Sequence, residues 1–299
     1  MLTICIPVYN FDITPLIISL EKQLATITED VKLVLIDDAS GEEFKRLNKE
    51  VSERHHYIEL FENIGRSKVR NLFLKHSNSP YLLFLDCDVI IQPNFIKAYI
   101  DYLITKKPDV VCGGRIYPSK LPGKSRRLSY NYGVKRESKS AVERNKAPND
   151  SFMTNNFIIK RAVLESYPFD ERLKFYGHED TLLGLELKKA RIRIDHIENP
   201  VINGDIEVNS EYLRKTAIAI SNLVVILNSQ DDQELFIKSV RLLNVYLNGF
   251  NSFARFILNF IFRILKRPLT KILKNGSTSI VLFDFYKLGI LGEELSMAN

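Results

Sequence analysis

Several residue types are scarce in this chain of 299 residues, and each scarcity excludes a class of protein. It has three cysteines and no tryptophan. Cys5, Cys87 and Cys112 are widely spaced beside apolar runs, which predicts buried thiols in a cytosolic protein rather than a disulfide framework or a zinc site. No uncharged apolar run reaches the ~18 residues needed to span a bilayer. We therefore expect no spanning helix.

Two common nucleotide-binding motifs are also missing. The first strand ends in Pro7-Val-Tyr-Asn10 rather than G-x-G-x-x-G, which disfavours a dinucleotide site. Gly123-Lys-Ser125 resembles the end of a Walker A motif, but Pro118 occupies the required upstream glycine position. Phosphate must therefore be held by other means, and a divalent ion on Asp86 and Asp88 is one.

Acidic residues are absent from residues 251–276, which contain six Lys or Arg. Residues 115–146 carry ten Lys or Arg and two Glu. With a net charge of +6, these blocks indicate anionic partners such as nucleotide phosphates or lipid head groups. We rank nucleic acid last, because the 115–146 block has few aromatic residues on which bases could stack.

Strand-like runs alternate with helical patterns through the first two thirds of the chain. The predicted strands are 2–8, 32–36, 57–61, 81–85, 110–112, 152–161 and 192–197. This alternation predicts an α/β fold with a parallel sheet and right-handed crossovers. We expect Thr14 to cap the first helix, and Ser40 and Glu43 to form a capping box on the second. Periodicity fades over residues 113–148, which predicts a long, mobile basic stretch that is either a disordered connector or a substrate-covering loop.

The predicted strand Tyr81–Leu85 runs directly into Asp86 and Asp88. Burying a carboxylate is costly unless it is paired or bound to a metal, so acids at the end of a core strand need an explanation. A capping role would suffice for an isolated pair. In open α/β sheets, however, ligands bind at the carboxyl ends of the strands, which makes this a candidate site.

Beyond about residue 208 the pattern becomes helical. Apolar residues keep helical spacing from Phe253 to Leu265, with basic residues between them, and Pro268 is predicted to interrupt the helix. Two interpretations remain open: a helix lying in a membrane interface, and a helix packed on the protein with a solvated basic face. The complete lack of acids favours the membrane interpretation.

Short motifs follow one another along the chain in an order typical of one enzyme family. They are Ile6-Pro-Val-Tyr-Asn10, Leu35-Ile-Asp-Asp-Ala-Ser40, Asn63-Ile-Gly-Arg-Ser-Lys-Val-Arg-Asn71, Asp86-Cys-Asp88, Thr154-Asn-Asn-Phe157 before Lys160-Arg161, Phe169-Asp-Glu171 and Tyr176-Gly-His-Glu-Asp-Thr181. Through them, residues 2–205 resemble the inverting glycosyltransferases of family 2. That resemblance implies a GT-A fold, with a mostly parallel Rossmann-like sheet flanked by helices, here followed by a C-terminal helical extension.

The resemblance also implies roles for the matching residues. The residues implied in nucleotide-sugar binding are Pro7, Tyr9, Asn10, Asp37, Asp38, Asn63, Arg70 and Asp86. Pro7 and Tyr9 would line the nucleobase pocket, and Asp38 or Asp37 would read the base. Arg70 and Asn63 would lie near the diphosphate or the base.

The resemblance implies a metal and a base as well. Asp88 would ligate Mg²⁺ or Mn²⁺, and Asp86 would face the ribose or the metal. Asp180, with Glu179 beside it, would be the general base at the acceptor hydroxyl. An acidic pair in a first helical turn also has a structural explanation, since it complements the helix dipole.

The chain departs from the family pattern in two places. Many members carry a histidine that can join the metal shell where this chain has Asn203, and His196 is an alternative ligand. The absence of tryptophan excludes the acceptor motif of processive polysaccharide synthases. Transfer of one sugar per visit is therefore the better interpretation.

These observations predict a metal-dependent enzyme that moves a sugar, favouring a UDP-linked donor, to a glycan or lipid-linked acceptor in cell-surface polysaccharide synthesis. We divide the chain into a nucleotide-sugar half (1–114), an acceptor and catalytic half (115–207) and a helical extension (208–299). The first strand starts at Leu2, so we expect a cytoplasmic protein, peripheral on the inner face of the membrane. The alternatives are a non-catalytic nucleotide-sugar or membrane-surface protein and, less favoured, a nucleotidyltransferase.

Overall fold

The structure is a computed structural model that describes residues 1–173 and 176–298. The described residues form two compact units. Those of 1–118, 138–174 and 182–205 form the first unit, and those of 119–137, 175–181 and 206–299 form the second. The first unit contains the β-sheet, whereas the second is helical. The predicted α/β fold with a C-terminal helical extension is confirmed.

The strands form a large and a small sheet. The strands are β1 (Leu2–Val8), β2 (Val31–Asp37), β3 (His56–Glu59), β4 (Tyr81–Leu85), β5 (Val89–Ile90), β6 (Val110–Cys112), β7 (Arg115–Ile116), β8 (Asn156–Lys160), β9 (Ile194–His196) and β10 (Val201–Asn203). The large sheet has the order β3-β2-β1-β4-β8-β6-β9, and the small one β5-β10-β7. In the large sheet only β8 is antiparallel to its neighbours, β4 and β6.

Helices flank the sheet and make up most of the second unit. They are α1 (Thr14–Leu24), α2 (Glu42–Val51), α3 (Arg66–His76), α4 (Phe95–Lys106), α5 (Arg127–Tyr132), α6 (Ala141–Arg144), α7 (Arg161–Ser166), α8 (Glu179–Lys189), α9 (Asn209–Asn228), α10 (Gln233–Ser239), α11 (Arg241–Leu247), α12 (Ser252–Lys274) and α13 (Ile280–Ala298).

Alternate residues of β1 and β4 pack into two cores, one on each face of the sheet. Ile6 and Leu83 lie in the core that includes residues of α1 and α4. Cys5 and Phe84 lie in the opposite core, where the Phe84 ring stacks on Phe157 with centroids 5.0 Å apart. Burial on both faces explains why these strands read as continuous apolar runs.

The first two helices begin differently from the prediction. α1 starts at Thr14, whose backbone N–H donates to the Asp12 carboxylate at 2.9 Å, so Thr14 lies inside the helix instead of capping it. α2 starts at Glu42 without a side-chain cap. The Ser40 hydroxyl accepts the Asn10 backbone N–H at 2.8 Å instead. A contact between two loops therefore replaces the predicted capping box.

The basic segment 115–146 forms short regular elements, so the prediction of a disordered connector was wrong. It contains β7, a 3-10 turn at Lys124–Arg126, α5, a π-helical turn at Gly133–Glu137 and α6. α6 opens with a complete capping box of Ser140 and Glu143. The Ser-x-x-Glu spacing was visible in the sequence and is a helix-start signal.

Arg144 fastens α6 to the ends of β6 and β9. Its side chain is buried, and its guanidinium donates to five acceptors between 2.9 and 3.1 Å. The acceptors are the carbonyls of Lys139, Cys112, Gly113 and Ile197 and the Nδ1 atom of His196. The His196 Nε2–H donates to the Pro148 carbonyl at 2.8 Å. Both ring nitrogens are engaged, so His196 is a packing residue.

α12 runs without interruption through Pro268, contrary to the prediction. A proline inside a helix costs about 3 kcal/mol. Leu269 and Leu273, which follow the proline, are buried, and this packing offsets the local cost.

α12 packs closely on α13. The Phe262 ring lies 5.9 Å from Phe285 and 6.2 Å from Tyr286 between centroids. A Cβ at Gly289 would come within 2.1 Å of the Phe262 ring, so the close approach requires glycine. Within residues 1–173 and 176–298, no helix combines the length and the apolar character that crossing a membrane requires.

Candidate active site

The carboxyl ends of β1, β2 and β4 meet at one edge of the large sheet, because these neighbouring strands are parallel. Tyr9 and Asn10 follow β1, Asp38 follows β2, and Asp86 follows β4. The order of connection reverses between β1 and β4, and such a switch point is where open α/β sheets bind ligands. The structure therefore gathers the predicted donor-side residues at one edge.

The turn after β1 is held in place by the turn after β2. Asn10 has a positive φ of 49°, and its side-chain oxygen accepts the Gly41 N–H at 2.8 Å. Pro7 lies in the β1–β2 ladder opposite Ile36. The Tyr9 side chain is 52% exposed. This leaves an aromatic ring accessible on a fixed backbone, which suits contact with a planar base.

Asp37 has a role within the fold. It is fully buried, and its carboxylate accepts the Ser40 N–H at 2.7 Å and the Tyr57 hydroxyl proton at 3.0 Å. A buried carboxylate requires such partners. Asp37 thus fixes the turn that carries Asp38.

Asp38 connects that turn to the loop before α3. Its carboxylate accepts the backbone N–H groups of Ile64 at 2.7 Å and Gly65 at 3.1 Å. The Asn63 side chain donates to the Asp38 carbonyl at 3.1 Å. Desolvation raises the pKa of Asp38, while the two N–H bonds oppose the rise. Asp38 and Asn63 are therefore brought together at the same edge.

Arg70 and Asp86 form an ion pair beneath this edge. Arg70 is buried on α3, and its Nη2 lies 3.1 Å from Asp86 Oδ1. The guanidinium carbon also lies 5.5 Å from the centroid of the Phe169 ring. Because guanidinium is planar, it can pair with a carboxylate and stack on an aromatic ring together. These contacts hold Asp86 in one orientation.

Asp88 lies directly before β5 of the small sheet. The Gly204 N–H donates to the Asp88 carbonyl at 2.9 Å, and a Cβ at Gly204 would come within 2.4 Å of that oxygen. Burial, and then the nearby charge of Asp86, raise the pKa of Asp88 to about 6. The charges of the two carboxylates repel each other, and a bound cation would relieve this repulsion.

The donor atoms near Asp88 fit a hard divalent ion. Asn203 lies opposite Val89 in the β10–β5 ladder. Its side-chain nitrogen donates to the Asp205 carbonyl at 3.2 Å, and this bond does not involve the oxygen of the Asn203 side-chain amide. No three His, Cys, Asp or Glu side chains converge as metal ligands in residues 1–173 and 176–298. The two carboxylates suit Mg²⁺ or Mn²⁺, which complete their shells with phosphate and water oxygens.

The Cys87 thiol between the two acids is chemically inert. Burial, and then the charges of Asp88 and Asp86, raise its pKa to about 12. The thiolate is the reactive form of cysteine. Cys87 therefore stays protonated and supplies neither a nucleophile nor a soft metal ligand.

Two arginines near Asp88 were not assigned from the sequence. The positive charges of Arg115 and Arg66 oppose the rise in the pKa of Asp88. Arg66 is the first residue of α3, whose N-terminus also favours anions. Arg115 comes near because β7 pairs with β10, a long-range contact with no local signal.

Asn155 was also missed. Its backbone carbonyl accepts the Asp86 N–H at 3.2 Å, since β8 pairs with β4. The side chain is buried, and neither its nitrogen nor its oxygen has a hydrogen-bond partner among the described residues. Unpaired buried amides are uncommon and need an explanation. The antiparallel direction of β8 places this amide at the site.

Glu179 and Asp180 open α8 and belong to the second unit. Gly177 and His178 precede them with φ values of 98° and 70°. Asp180 Oδ1 accepts the Thr181 N–H at 2.7 Å. A non-glycine residue in the left-handed region stores strain of about 1–3 kcal/mol, and such residues cluster at functional sites.

α9 supports this turn. The Asn222 side chain is buried and donates to the Gly177 carbonyl at 2.6 Å. A Cβ at Gly177 would lie 2.7 Å from the Ala219 Cβ, so both the backbone angle and the close approach require glycine. Asn222 is 45 residues from Gly177 in sequence, and no local pattern predicted the contact.

An open α/β sheet with an acidic switch-point edge is the arrangement of the GT-A glycosyltransferases. The resemblance predicted from the sequence motifs is confirmed, because the family model described as glycosyl transferase family 2 matches residues 3–167. The chain belongs to glycosyl transferase family 2.

Solved structures of glycosyltransferases share the fold. The mannosyltransferase PcManGT from Pyrobaculum calidifontis, in complex with GDP-Man and Mn²⁺, has a TM-score of 0.57 at 12% identity, covering 100% of this chain and 86% of that one. TarS of S. aureus has a TM-score of 0.53 at 17% identity, covering 96% and 54%. Glucosyl-3-phosphoglycerate synthase from Mycobacterium tuberculosis, with Mn²⁺ and UDP, has a TM-score of 0.52 at 15% identity, covering 78% and 81%.

Two curated relatives match part of the chain. A teichoic acid poly(glycerol phosphate) polymerase of Staphylococcus epidermidis is 31% identical over 106 residues, 33% of this chain. The glycosyltransferase GlyA of Streptococcus pneumoniae is 28% identical over 115 residues, 38% of this chain. The matches span only 14% and 16% of those relatives' lengths.

Proposed function

We propose that this family 2 protein is a metal-dependent, inverting glycosyltransferase that moves one sugar from a nucleotide-diphosphate donor to a hydroxyl group. The observation that carries the proposal is the sheet edge, where Tyr9, Asp38, Asp86 and Asp88 meet beside arginines. This edge offers an aromatic ring for a base, carboxylates for a cation and cationic groups for phosphate.

The donor would lie along this edge with its base near Tyr9 and Asp38. Each Asp38 oxygen has a second lone pair besides the one that accepts a backbone N–H, so the carboxylate retains acceptor capacity for a base N–H. Arg66 and the α3 N-terminus favour the diphosphate. We favour a UDP-linked sugar, since glucosyl-3-phosphoglycerate synthase and TarS are both known with UDP, although PcManGT is known with GDP-Man.

Asp88 and Asp86 would hold Mg²⁺ or Mn²⁺. Such an ion would supply charge neutralisation on the departing nucleoside diphosphate. Arg70 keeps Asp86 oriented for this role, and Gly204 leaves room for the backbone at Asp88.

Asp180 would be the general base. The acceptor oxygen attacks the anomeric carbon from the face opposite the diphosphate, and Asp180 takes its proton as the new C–O bond forms. The bond to the diphosphate breaks, and the nucleotide leaves with the electron pair. A single displacement of this kind inverts the anomeric centre.

The curated relatives support the proposed acceptor class. One is a teichoic acid polymerase, which supports a glycan or lipid-linked acceptor in cell-surface polysaccharide synthesis. A lipid-linked acceptor would lie at the inner leaflet, so the proposal includes a peripheral contact of the protein with anionic lipid there.

Calorimetric titration with UDP and with GDP, each with and without Mn²⁺, tests the proposal. We expect Mn²⁺-dependent binding of one nucleotide that is lost in Asp88→Ala and retained in Asp101→Asn, a change at an exposed acid on α4. Absence of binding by the folded protein would instead favour a non-catalytic surface protein, an alternative that the asparagine at position 203 supports.

A further inference from the structure

α12 presents apolar side chains on the face opposite α13. We call this surface the outer face of α12. It consists of Phe253, Phe256, Ile257, Phe260, Ile261 and Ile264. These positions follow the spacing i, i+3, i+4, i+7, i+8 and i+11, which places them on one side of a helix. Their side chains are between 40% and 71% exposed.

The core of the second unit does not account for the outer face. α12 already packs on α13 through Phe262, and Leu269 and Leu273 on the same side of the helix are also buried. Burying one Phe or Ile side chain is worth about 1.5–3 kcal/mol. Leaving six in water is costly, and contiguous exposed apolar patches mark interaction surfaces.

A row of positive charge continues from the outer face along the same helix. Arg263, Arg267, Lys271 and Lys274 recur at i, i+4, i+8 and i+11, and all four are exposed. None of them forms an ion pair within residues 1–173 and 176–298. Residues 235–283 contain no Asp or Glu at all.

The basic row borders a shallow groove of about 660 Å³. The groove is lined by Lys266, Arg267, Thr270, Lys271, Lys274 and Asn275. Ammonium, guanidinium, hydroxyl and amide donors together match the oxygens of a phosphate group. The apolar surface and the phosphate-compatible groove lie on one continuous helix.

These features select one occupant. A second copy packed symmetrically through α12 would offer the basic row no acidic partner, because residues 235–283 contain no Asp or Glu. An anionic bilayer surface offers both an acyl boundary for Phe and Ile and phosphates for the basic row. A basic residue at such a surface contributes about 1 kcal/mol, and an amphipathic helix buries its apolar face about 5–10 Å deep.

We propose that the outer face of α12 lies in the interface of an anionic lipid bilayer, with the aromatic residues among the acyl chains and the basic row on lipid phosphates. This inference deepens the proposed function by naming the surface that makes the membrane contact. It is argued from α12 and α13 alone, so it stands or falls separately from the donor site.

The lack of tryptophan permits a direct test. Phe256→Trp introduces one tryptophan into the outer face, and Ile104→Trp places one at a similarly exposed site on α4. With vesicles of phosphatidylcholine and 30% phosphatidylglycerol, we expect a blue shift of the emission for Phe256→Trp and no shift for Ile104→Trp. Equal shifts, or none, would overturn the proposal.

Vesicle flotation tests the surface as a whole. We expect the triple variant Phe253→Ser, Phe256→Ser, Phe260→Ser to bind at least tenfold more weakly than the unmodified protein. The matched triple Ile18→Ser, Ile104→Ser, Val142→Ser should bind as before. Replacing Arg263, Arg267 and Lys271 by Gln should remove the preference for phosphatidylglycerol vesicles over pure phosphatidylcholine.

Two outcomes would contradict the proposal. Equal binding to both vesicle types would exclude phosphate recognition, and a dimer disrupted by the Phe triple without any vesicle binding would identify a second copy as the occupant. UDP titration of the Phe triple without vesicles separates this from the proposed function, because donor binding should be unchanged.

Discussion

β4 and α12 are both strongly apolar, but β4 is buried whereas one face of α12 is exposed to solvent. Residues 82–85 of β4 are 0% exposed, because the strand lies inside the sheet with a core on each face. Phe253 and Phe256 of α12 are 71% and 67% exposed, because α13 covers only one side of that helix. β4 ends in two acids, whereas α12 ends in a basic row. Apolar character forms a buried platform beneath the proposed donor site in one case and a solvent-exposed surface in the other.

The largest expected effect is a loss of transfer activity that leaves the proposed functions of β4 and α12, nucleotide binding and membrane binding, unchanged. Asp180→Asn removes the proposed base, so transfer should fall by about 10²–10⁴-fold, the range that general base catalysis supplies. Nucleotide binding and vesicle binding should remain. Steady-state transfer assays with calorimetry measure this, and Asp231→Asn, at an exposed acid of the second unit, is the control. Loss of UDP binding would show that Asp180 has another role.

A pair of phenylalanine truncations tests the comparison itself. Phe84→Ala should lower the free energy of unfolding by about 3–5 kcal/mol, because it opens a cavity between Phe73 and Phe157. Phe256→Ala should change it by no more than about 0.5 kcal/mol, as for an exposed position. Urea unfolding measures both values. Equal losses would mean that the outer face of α12 is covered in solution.

Acid should weaken the unit that contains the sheet. Burial lowers the pKa of His196 from 6.5 to about 4, so between these values the unfolded chain binds a proton that the folded chain excludes. The free energy of unfolding should therefore be unaffected by His196 above pH ~6.5 and fall by about 3 kcal/mol as the pH drops to ~4. In His196→Gln this part of the pH dependence should disappear. If the free energy of unfolding showed the same dependence on pH in the unmodified protein and in His196→Gln, His196 would not be the group responsible.

The smallest effect concerns the turn before α8. Asn222→Ala removes the bond to the Gly177 carbonyl and should lower kcat about tenfold, less than the ~10²-fold that a 1 Å misplacement can cost. The KM for the donor should not change, because the nucleotide-side residues are untouched. Asn228→Ala, at the exposed end of the same helix, is the matched control. A raised donor KM with unchanged kcat would exclude the positioning role.

Local sequence patterns predicted those elements whose own composition shows how they are buried. β1, β2 and β4 were recognised because burial on both faces leaves a continuous apolar run. The capping box at Ser40 failed because the hydroxyl binds the loop after β1, and the break at Pro268 failed because buried leucines follow it. In both cases a tertiary contact outweighed a local preference.

The candidate site was likewise predictable only where the position of a residue follows from local sequence. Acids that follow strands must gather at one edge, so Asp38 and Asp86 could be placed together from the sequence. Asn155 and Arg115 could not, since their positions depend on the antiparallel direction of β8 and on the β7–β10 pairing. Likewise, helical spacing revealed that α12 is amphipathic, but only its packing shows that a second apolar face is left exposed.

The buried fork of Arg144 has an evolutionary consequence. The Arg144 side chain donates hydrogen bonds to carbonyl groups from three separate stretches of the chain. The backbone conformation of residues 139–145 therefore depends on this one residue. Lysine has three donors on one atom and cannot reproduce a planar five-donor fork. Variation in the loops around this position is therefore tolerable only while the arginine stays, which makes Arg144 an anchor around which the neighbouring basic segment can diversify.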